Sequence, residues 1–188
     1  QTSTGIAVMS INLLLAHEDD AVVWRGPLIS GAIRQFWQDV AWGDLDYLLV
    51  DLPPGTSDAS LTVLQTIPLN GILLITSPQA LAAMVVRKAA SMARQLQVPI
   101  VGVVENLSYV ECPGSGERIE LFGPSHSAEL AAALGAELLG RLPVEPEMAI
   151  LADTGRMEDY QAEWFLPVAE KVLSRLPKEQ RPAPVLKT

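Results

Sequence analysis

Residues 47–58 read Tyr47-Leu48-Leu49-Val50-Asp51-Leu52-Pro53-Pro54-Gly55-Thr56-Ser57-Asp58. An apolar run leads into an aspartate, and a Pro-Pro-Gly turn follows. Apolar residues without alternation suit a strand buried on both faces, as in a parallel sheet. Open sheets of that kind bind ligands at the carboxyl ends of their strands, which is where Asp51 emerges. A carboxylate there can hold Mg²⁺, usually through water. The turn offers backbone N–H groups to a phosphate. Asp51 alone could equally cap the turn after it. With Pro-Pro-Gly-Thr appended, the stretch reads as a metal–nucleotide element.

Similar apolar runs occupy residues 6–11, 71–76, 100–104 and 137–142. Segments of helical period lie between them. Residues 26–40 start Gly-Pro, with Pro27 where a first-turn proline loses no hydrogen bond. Residues 58–66 follow Thr56 and Ser57, both good N-caps. Residues 79–97 follow Ser77-Pro78, and Leu81, Val85, Ala89, Met92 and Leu96 form a stripe expected to face a sheet. Residues 127–134 end at Gly135, a good residue to follow a helix. Residues 160–176 form a last helix, kinked or begun at Pro167. This alternation predicts an α/β fold with a mostly parallel open sheet and helices on both faces. Residues 1–176 read as part of one domain. Residues 177–188 read as a flexible tail with Pro177, Pro182 and Pro184. From Lys171 onward the chain has five cations and one anion, the pattern of a solvated terminus.

The chain has 188 residues, 49% hydrophobic and 19% charged, which excludes a disordered chain. Its net charge of −9 argues against a nucleic-acid partner, since such proteins displace phosphate counterions with cations. The single cysteine, Cys112, excludes an internal disulfide framework. No apolar run approaches the roughly 20 residues that span a bilayer, and residues 1–5 lack the features of a signal peptide. The sequence therefore predicts a cytoplasmic protein without a membrane partner. Trp24, Trp37 and Trp42 suit a core or a dimer interface better than base stacking. Arg25 could meet a phosphate, a partner's carboxylate or only solvent. His17 and His126 are not spaced to complete a metal site with Cys112 and read as surface or capping residues.

Several stretches together resemble the Mrp/ApbC family of P-loop ATPases, the iron–sulfur cluster carriers and scaffolds of the MinD/ParA-like class. They are Val8-Met9-Ser10-Ile11, Trp24-Arg25-Gly26-Pro27, the run from Asp46 to Thr56, the run from Val98 to Tyr109, and Gly140-Arg141-Leu142-Pro143. The resemblance implies a P-loop NTPase fold of MinD-like type, with ATP and Mg²⁺ as cofactors. It makes Asp51 the catalytic aspartate linked to Mg²⁺. It puts Pro53, Gly55 and Thr56 in the switch loop that senses the γ-phosphate. It matches Asn106 to a residue that hydrogen-bonds adenine, and Pro143 and Glu145 to the loop closing over the base. Read on its own, Asn106 is an amide after a strand. It suits an adenine edge with its donor and acceptor, or simply forms a turn.

A phosphate-transfer site of this class needs Gly-x-x-x-x-Gly-Lys-Ser/Thr. None of the four lysines, Lys88, Lys171, Lys178 and Lys187, follows a glycine. The resemblance puts that loop, its central strand, the first switch and the water-orienting aspartate upstream of the point matching Gln1. The sheet is thus expected to be incomplete on its N-terminal side, and residues 1–188 alone to be inactive.

The family's cluster motif is Cys-Pro-x-Cys, which in a dimer offers four thiolates to a bridging [4Fe–4S] cluster. Here it reads Cys112-Pro113-Gly114-Ser115. A serine hydroxyl is a hard, poor substitute for a thiolate, and Cys112 could also be an ordinary thiol in a turn. The implied function is an ATP-dependent iron–sulfur cluster carrier that hydrolyses ATP in the intact chain. It would act as a homodimer, with apo iron–sulfur proteins as clients. Two other readings stay open. One is a degenerate, non-enzymatic protein-binding scaffold. The other is a MinD-like positioning ATPase, which needs a basic amphipathic terminal helix that residues 160–176, with Glu163 and Glu170, supply poorly.

Overall fold

The computed structural model describes residues 1–17, 19–20 and 26–177. Trp24, Arg25 and tail residues 178–188 lie outside the described residues. The helices are α1 (Gly26–Gln38), α2 (Asp58–Thr66), α3 (Ala80–Gln95), α4 (Ser127–Ala133), α5 (Pro146–Asp153) and α6 (Leu166–Arg175). The strands are β1 (Ile72–Thr76), β2 (Ile100–Glu111), β3 (Arg118–Ile119) and β4 (Leu138–Pro143). β2 is central, parallel to β1 on one edge and to β4 on the other, and its distal end pairs antiparallel with β3. Mostly parallel pairing with helices on both faces is the architecture that the apolar runs predict.

The faces divide the core in two. Leu74 of β1 and Val103 of β2 pack under Val86 and Ala90 of α3 and Leu130 and Ala131 of α4. On the opposite face, Val101, Val104, Leu139 and Leu142 pack against Val168 of α6. Burying each such side chain stabilises the fold by about 1.5–3 kcal/mol. Gly102 lets β2 approach β4 closely. A Cβ there would lie 2.5 Å from Cγ of Leu139 and 2.6 Å from its Cδ1. Gly102→Ala should therefore cost about 1–3 kcal/mol by overpacking. A fall in the urea midpoint checks this, and an unchanged midpoint would contradict the packing described.

Three expectations are corrected. Residues 6–11 and 47–52 form no strand, and a 3₁₀ turn over Ile11–Leu14 overlaps the first run. A parallel strand exists only beside a partner that takes its backbone hydrogen bonds. β1 spends one edge on β2, and among the described residues no strand pairs with the other. Leu49 in the second run is accordingly 93% exposed. The stripe of α3 is also displaced. Val86, Ala90 and Ala93 are buried while Leu81 is 73% exposed, because the sheet lies under the adjacent face. Lastly, residues 160–176 do not form one helix, and of the two readings of Pro167 the structure bears out the one that begins the helix there. A 3₁₀ turn covers Glu163–Phe165, and α6 then starts at Leu166 with Pro167 in its first turn, where no helical N–H is lost.

The N-terminal turn is tied to the far end of the chain. Glu158 accepts hydrogen bonds from the Ser3 N–H at 3.1 Å, the Thr4 N–H at 3.2 Å and the Thr4 hydroxyl at 2.7 Å, and another from the Ser3 hydroxyl. These donors, the Ser3 hydroxyl foremost, pull its carboxyl down to about 2 from the usual 4.5. The folded form thus binds this proton less readily than the unfolded chain. Its contribution to stability is present above pH 4.5 and is lost as pH falls towards 2. Glu158→Gln should flatten this part of the acid limb of a stability–pH curve. An acid limb identical to that of the unsubstituted protein would contradict it.

Candidate functional site

Asp51 is exposed on the rim of a groove of about 1170 Å³, lined by residues 42–55 together with β1 and α3. Pro53 and Gly55 line the same groove, and Thr56 is exposed at the end of the loop. Among the described residues the Asp51 carboxylate makes no hydrogen bond or ion pair. Free carboxylate oxygens at an open rim fit a water-bridged Mg²⁺, a hard cation that keeps much of its hydration shell. Val85, Ala89 and Met92, part of the apolar stripe of α3, also line this groove.

The loop after Asp51 is fixed to α2. Gly55 turns it with φ +83°, a conformation that costs glycine little. Ser57 caps α2, its hydroxyl accepting the Ser60 N–H at 3.2 Å. The Ser60 hydroxyl donates to the Pro53 carbonyl at 3.3 Å. These bonds tie the loop to the start of α2. Ser30 and Thr62 join α1 to α2 through a 2.8 Å hydroxyl pair.

The second group of residues gathers where β2 and β4 end. Glu105 pairs with Arg141, and Tyr109 with Pro143. Residues 106–108 therefore stand opposite Leu142 alone, which makes a wide bulge in β2. Leu107 has φ +56°, a strain of about 1–3 kcal/mol for a non-glycine residue. The Asn106 side-chain oxygen Oδ1 accepts the Leu107 N–H at 2.8 Å. Its amide nitrogen makes no hydrogen bond among the described residues, leaving donors for a ligand. Beyond Pro143, the Val144 N–H donates to the Tyr109 carbonyl at 2.7 Å. Glu145 is the N-cap residue of α5. Its carboxylate lies near the Tyr160 hydroxyl, which accepts the Trp164 indole N–H at 2.9 Å. Burial chiefly raises the Tyr160 phenol, and Glu145 adds to the shift. Asn106, Pro143 and Glu145 thus lie on segments at the same end of β2 and β4, and none of them lines the groove of Asp51.

Cys112 sits in the turn between β2 and β3. Its N–H donates to the Glu117 carbonyl at 2.8 Å, and the Gly116 N–H returns to the Cys112 carbonyl at 3.1 Å. Ser115 is exposed in the same turn, its hydroxyl accepting the Glu117 N–H at 3.2 Å. Among the described residues no group of three or more His, Cys, Asp or Glu is gathered to hold a metal ion. His126 Nδ1 lies 3.5 Å from Glu129 Oε2.

The sequence reading left three participants without a role: Ser108, Arg141 and Tyr160. Glu105 carried the available signal, as a charge inside an apolar strand that must find a partner when buried. Its 0% exposure and its contact with Arg141 at 3.1 Å supply that partner.

A family model described as ParA, NUBPL iron-transfer P-loop NTPase, matches residues 1–174. The iron-sulfur cluster carrier protein of Clostridium perfringens is 43% identical over 163 residues, covering 87% of this chain and 57% of that protein. That of Methanocaldococcus jannaschii is 44% identical over 155 residues, covering 82% of this chain and 53% of the relative. The chain thus spans about half the length of the curated relatives it matches. Among solved structures, a nucleotide-binding protein from Archaeoglobus fulgidus in complex with ADP superposes with a TM-score of 0.68. It is 44% identical, and the match covers 82% of this chain and 60% of that one. No helix among the described residues is long and apolar enough to cross a membrane.

Proposed function

The chain belongs to the ParA/NUBPL family of iron-transfer P-loop NTPases, and from that premise we propose that the full-length protein is an ATP-dependent iron–sulfur cluster carrier. The observation that carries the nucleotide half is the Asp51 carboxylate at the rim of the groove, which has no partner among the described residues. In this reading Asp51 orients a water on Mg²⁺, and Pro53, Gly55 and Thr56 meet the γ-phosphate. Asn106 hydrogen-bonds the adenine edge, and Pro143 and Glu145 cover the base. When bound, Mg²⁺ neutralises charge on the terminal phosphates. The loop's attachment to α2 through Ser57 and Ser60 carries the presence of that phosphate into the fold.

The lysine-bearing phosphate loop and its strand are assigned to residues upstream of Gln1. Two features support this: the edge of β1 with which no strand pairs among the described residues, and the apolar groove beside it, lined by Val85, Ala89 and Met92. Residues 1–176 would then be the C-terminal portion of one ATPase domain, and 177–188 a tail.

The cargo is an iron–sulfur cluster held between two copies of the chain, each presenting Cys112 at a hairpin tip. Two thiolates fall short of the usual four, so the cluster would be held loosely and passed to apo iron–sulfur proteins. The same reading puts the protein in the cytoplasm, where a lone thiol stays reduced.

The test uses the full-length protein, reconstituted anaerobically with iron and sulfide and mixed with an apo ferredoxin. MgATP should be bound and hydrolysed, and it should change the rate of cluster transfer. MgATP binding without any iron uptake would leave only a nucleotide-binding scaffold. Iron uptake without nucleotide binding would remove the ATPase half.

A further inference from the structure

Arg141 joins two parts of the molecule through one planar guanidinium. On its inner side, Nε donates to Glu105 Oε1 at 3.1 Å and to the Ser108 hydroxyl at 2.7 Å. The Ser108 hydroxyl donates in turn to the same Glu105 oxygen. Ser125 donates to the other oxygen at 2.8 Å. Glu105 and Ser108 flank Asn106 and Leu107, so this buried cluster fixes the bulge that presents Asn106. On the outer side, Nη2 donates to Glu120 Oε1 at 2.5 Å. Glu120 directly follows β3, the strand that closes the Cys112 hairpin. Arg118 of β3 also pairs with Glu111 at 3.3 Å and lies 4.3 Å over the Tyr109 ring.

The two arms differ in strength. The Glu105 side chain is 1% exposed, so losing its partner would strand a buried charge. That of Glu120 is 39% exposed, and exposed pairs break at little cost. The Glu120 arm borders a hollow of about 540 Å³ lined by Tyr109, Arg118, Glu120 and Arg141. The inner arm therefore stays with the bulge, and the outer arm is the one that can let go.

We propose that Arg141 is a positioning residue that ties the Asn106 bulge to the Cys112 hairpin, so that nucleotide bound at the bulge changes the environment of the thiol. The proposal rests on the nucleotide reading of Asn106 given above. It assigns Glu105 and Ser108 to holding the bulge, and Glu120 to passing its position to the hairpin.

The test measures the rate of Cys112 alkylation by iodoacetamide in the full-length protein, by peptide mass, with and without MgATP. Nucleotide affinity is measured separately by calorimetry. MgATP should change the alkylation rate by about fivefold or more, a common size for coupling between sites. Glu120→Ala should abolish that change while nucleotide affinity stays within about twofold of the original. A wild-type protein that binds MgATP with no change at Cys112 overturns the proposal. So does a Glu120→Ala variant that keeps the full response. Failure of the wild-type protein to bind nucleotide defeats the reading of Asn106 itself, and the link with it.

Discussion

Asp51→Asn in the full-length protein is expected to cut MgATP turnover by on the order of 10²–10³-fold, the usual effect of removing one aligned electrostatic group. Asn keeps the size of the side chain but loses the negative charge that attracts a hydrated cation. The site is exposed and makes no hydrogen bond among the described residues, so the substitution should leave the melting temperature unchanged. Nucleotide binding without Mg²⁺ should survive, because Asn106 and Pro143 stand apart from the Asp51 groove. Turnover at the original rate would remove Asp51 from the reaction.

Ser115→Cys is expected to raise iron retained after anaerobic reconstitution to about four atoms per dimer, the complement of a four-thiolate cluster. Ser115 is exposed in the same turn as Cys112, so the slightly larger thiol can be accommodated towards solvent. Its hydroxyl accepts the Glu117 N–H, and a thiolate accepts that bond too. The unsubstituted protein should hold less iron and lose it on gel filtration. Cys112→Ala should hold none. Equal and tight iron binding with Ser or Cys at position 115 would show that other ligands complete the cluster.

Much of the fold is legible because β1, β2 and β4 send side chains into cores on both faces of the sheet, which writes near-continuous Val, Ile and Leu into residues 72–76, 100–104 and 138–142, although Ile75 of β1 stays 51% exposed. Residues 47–52 are equally apolar yet form no strand, since strand pairing depends on a neighbour and not on the run itself. The stripe of α3 misled for a related reason: Val85 and Val86 are both apolar, and only the position of the sheet decides which is buried.

At the site, Asp51 and the Pro-Pro-Gly turn stand out as types and spacing. The bulge does not, because register between β2 and β4 is a property of two segments far apart in sequence. Glu105 is a charge within the apolar run Val103-Val104-Glu105-Asn106, and its partner 36 residues later is written in no local pattern.

In the proposed function, Asp51 and Asn106 receive opposite ends of one Mg²⁺-bound nucleotide. A crystal structure of the full-length protein with Mg²⁺ and a non-hydrolysable ATP analogue tests it most directly. The account predicts the metal one water away from the Asp51 carboxylate, the γ-phosphate against residues 53–56 and the adenine edge on the Asn106 amide. A nucleotide whose metal and phosphates lie away from Asp51 would contradict it.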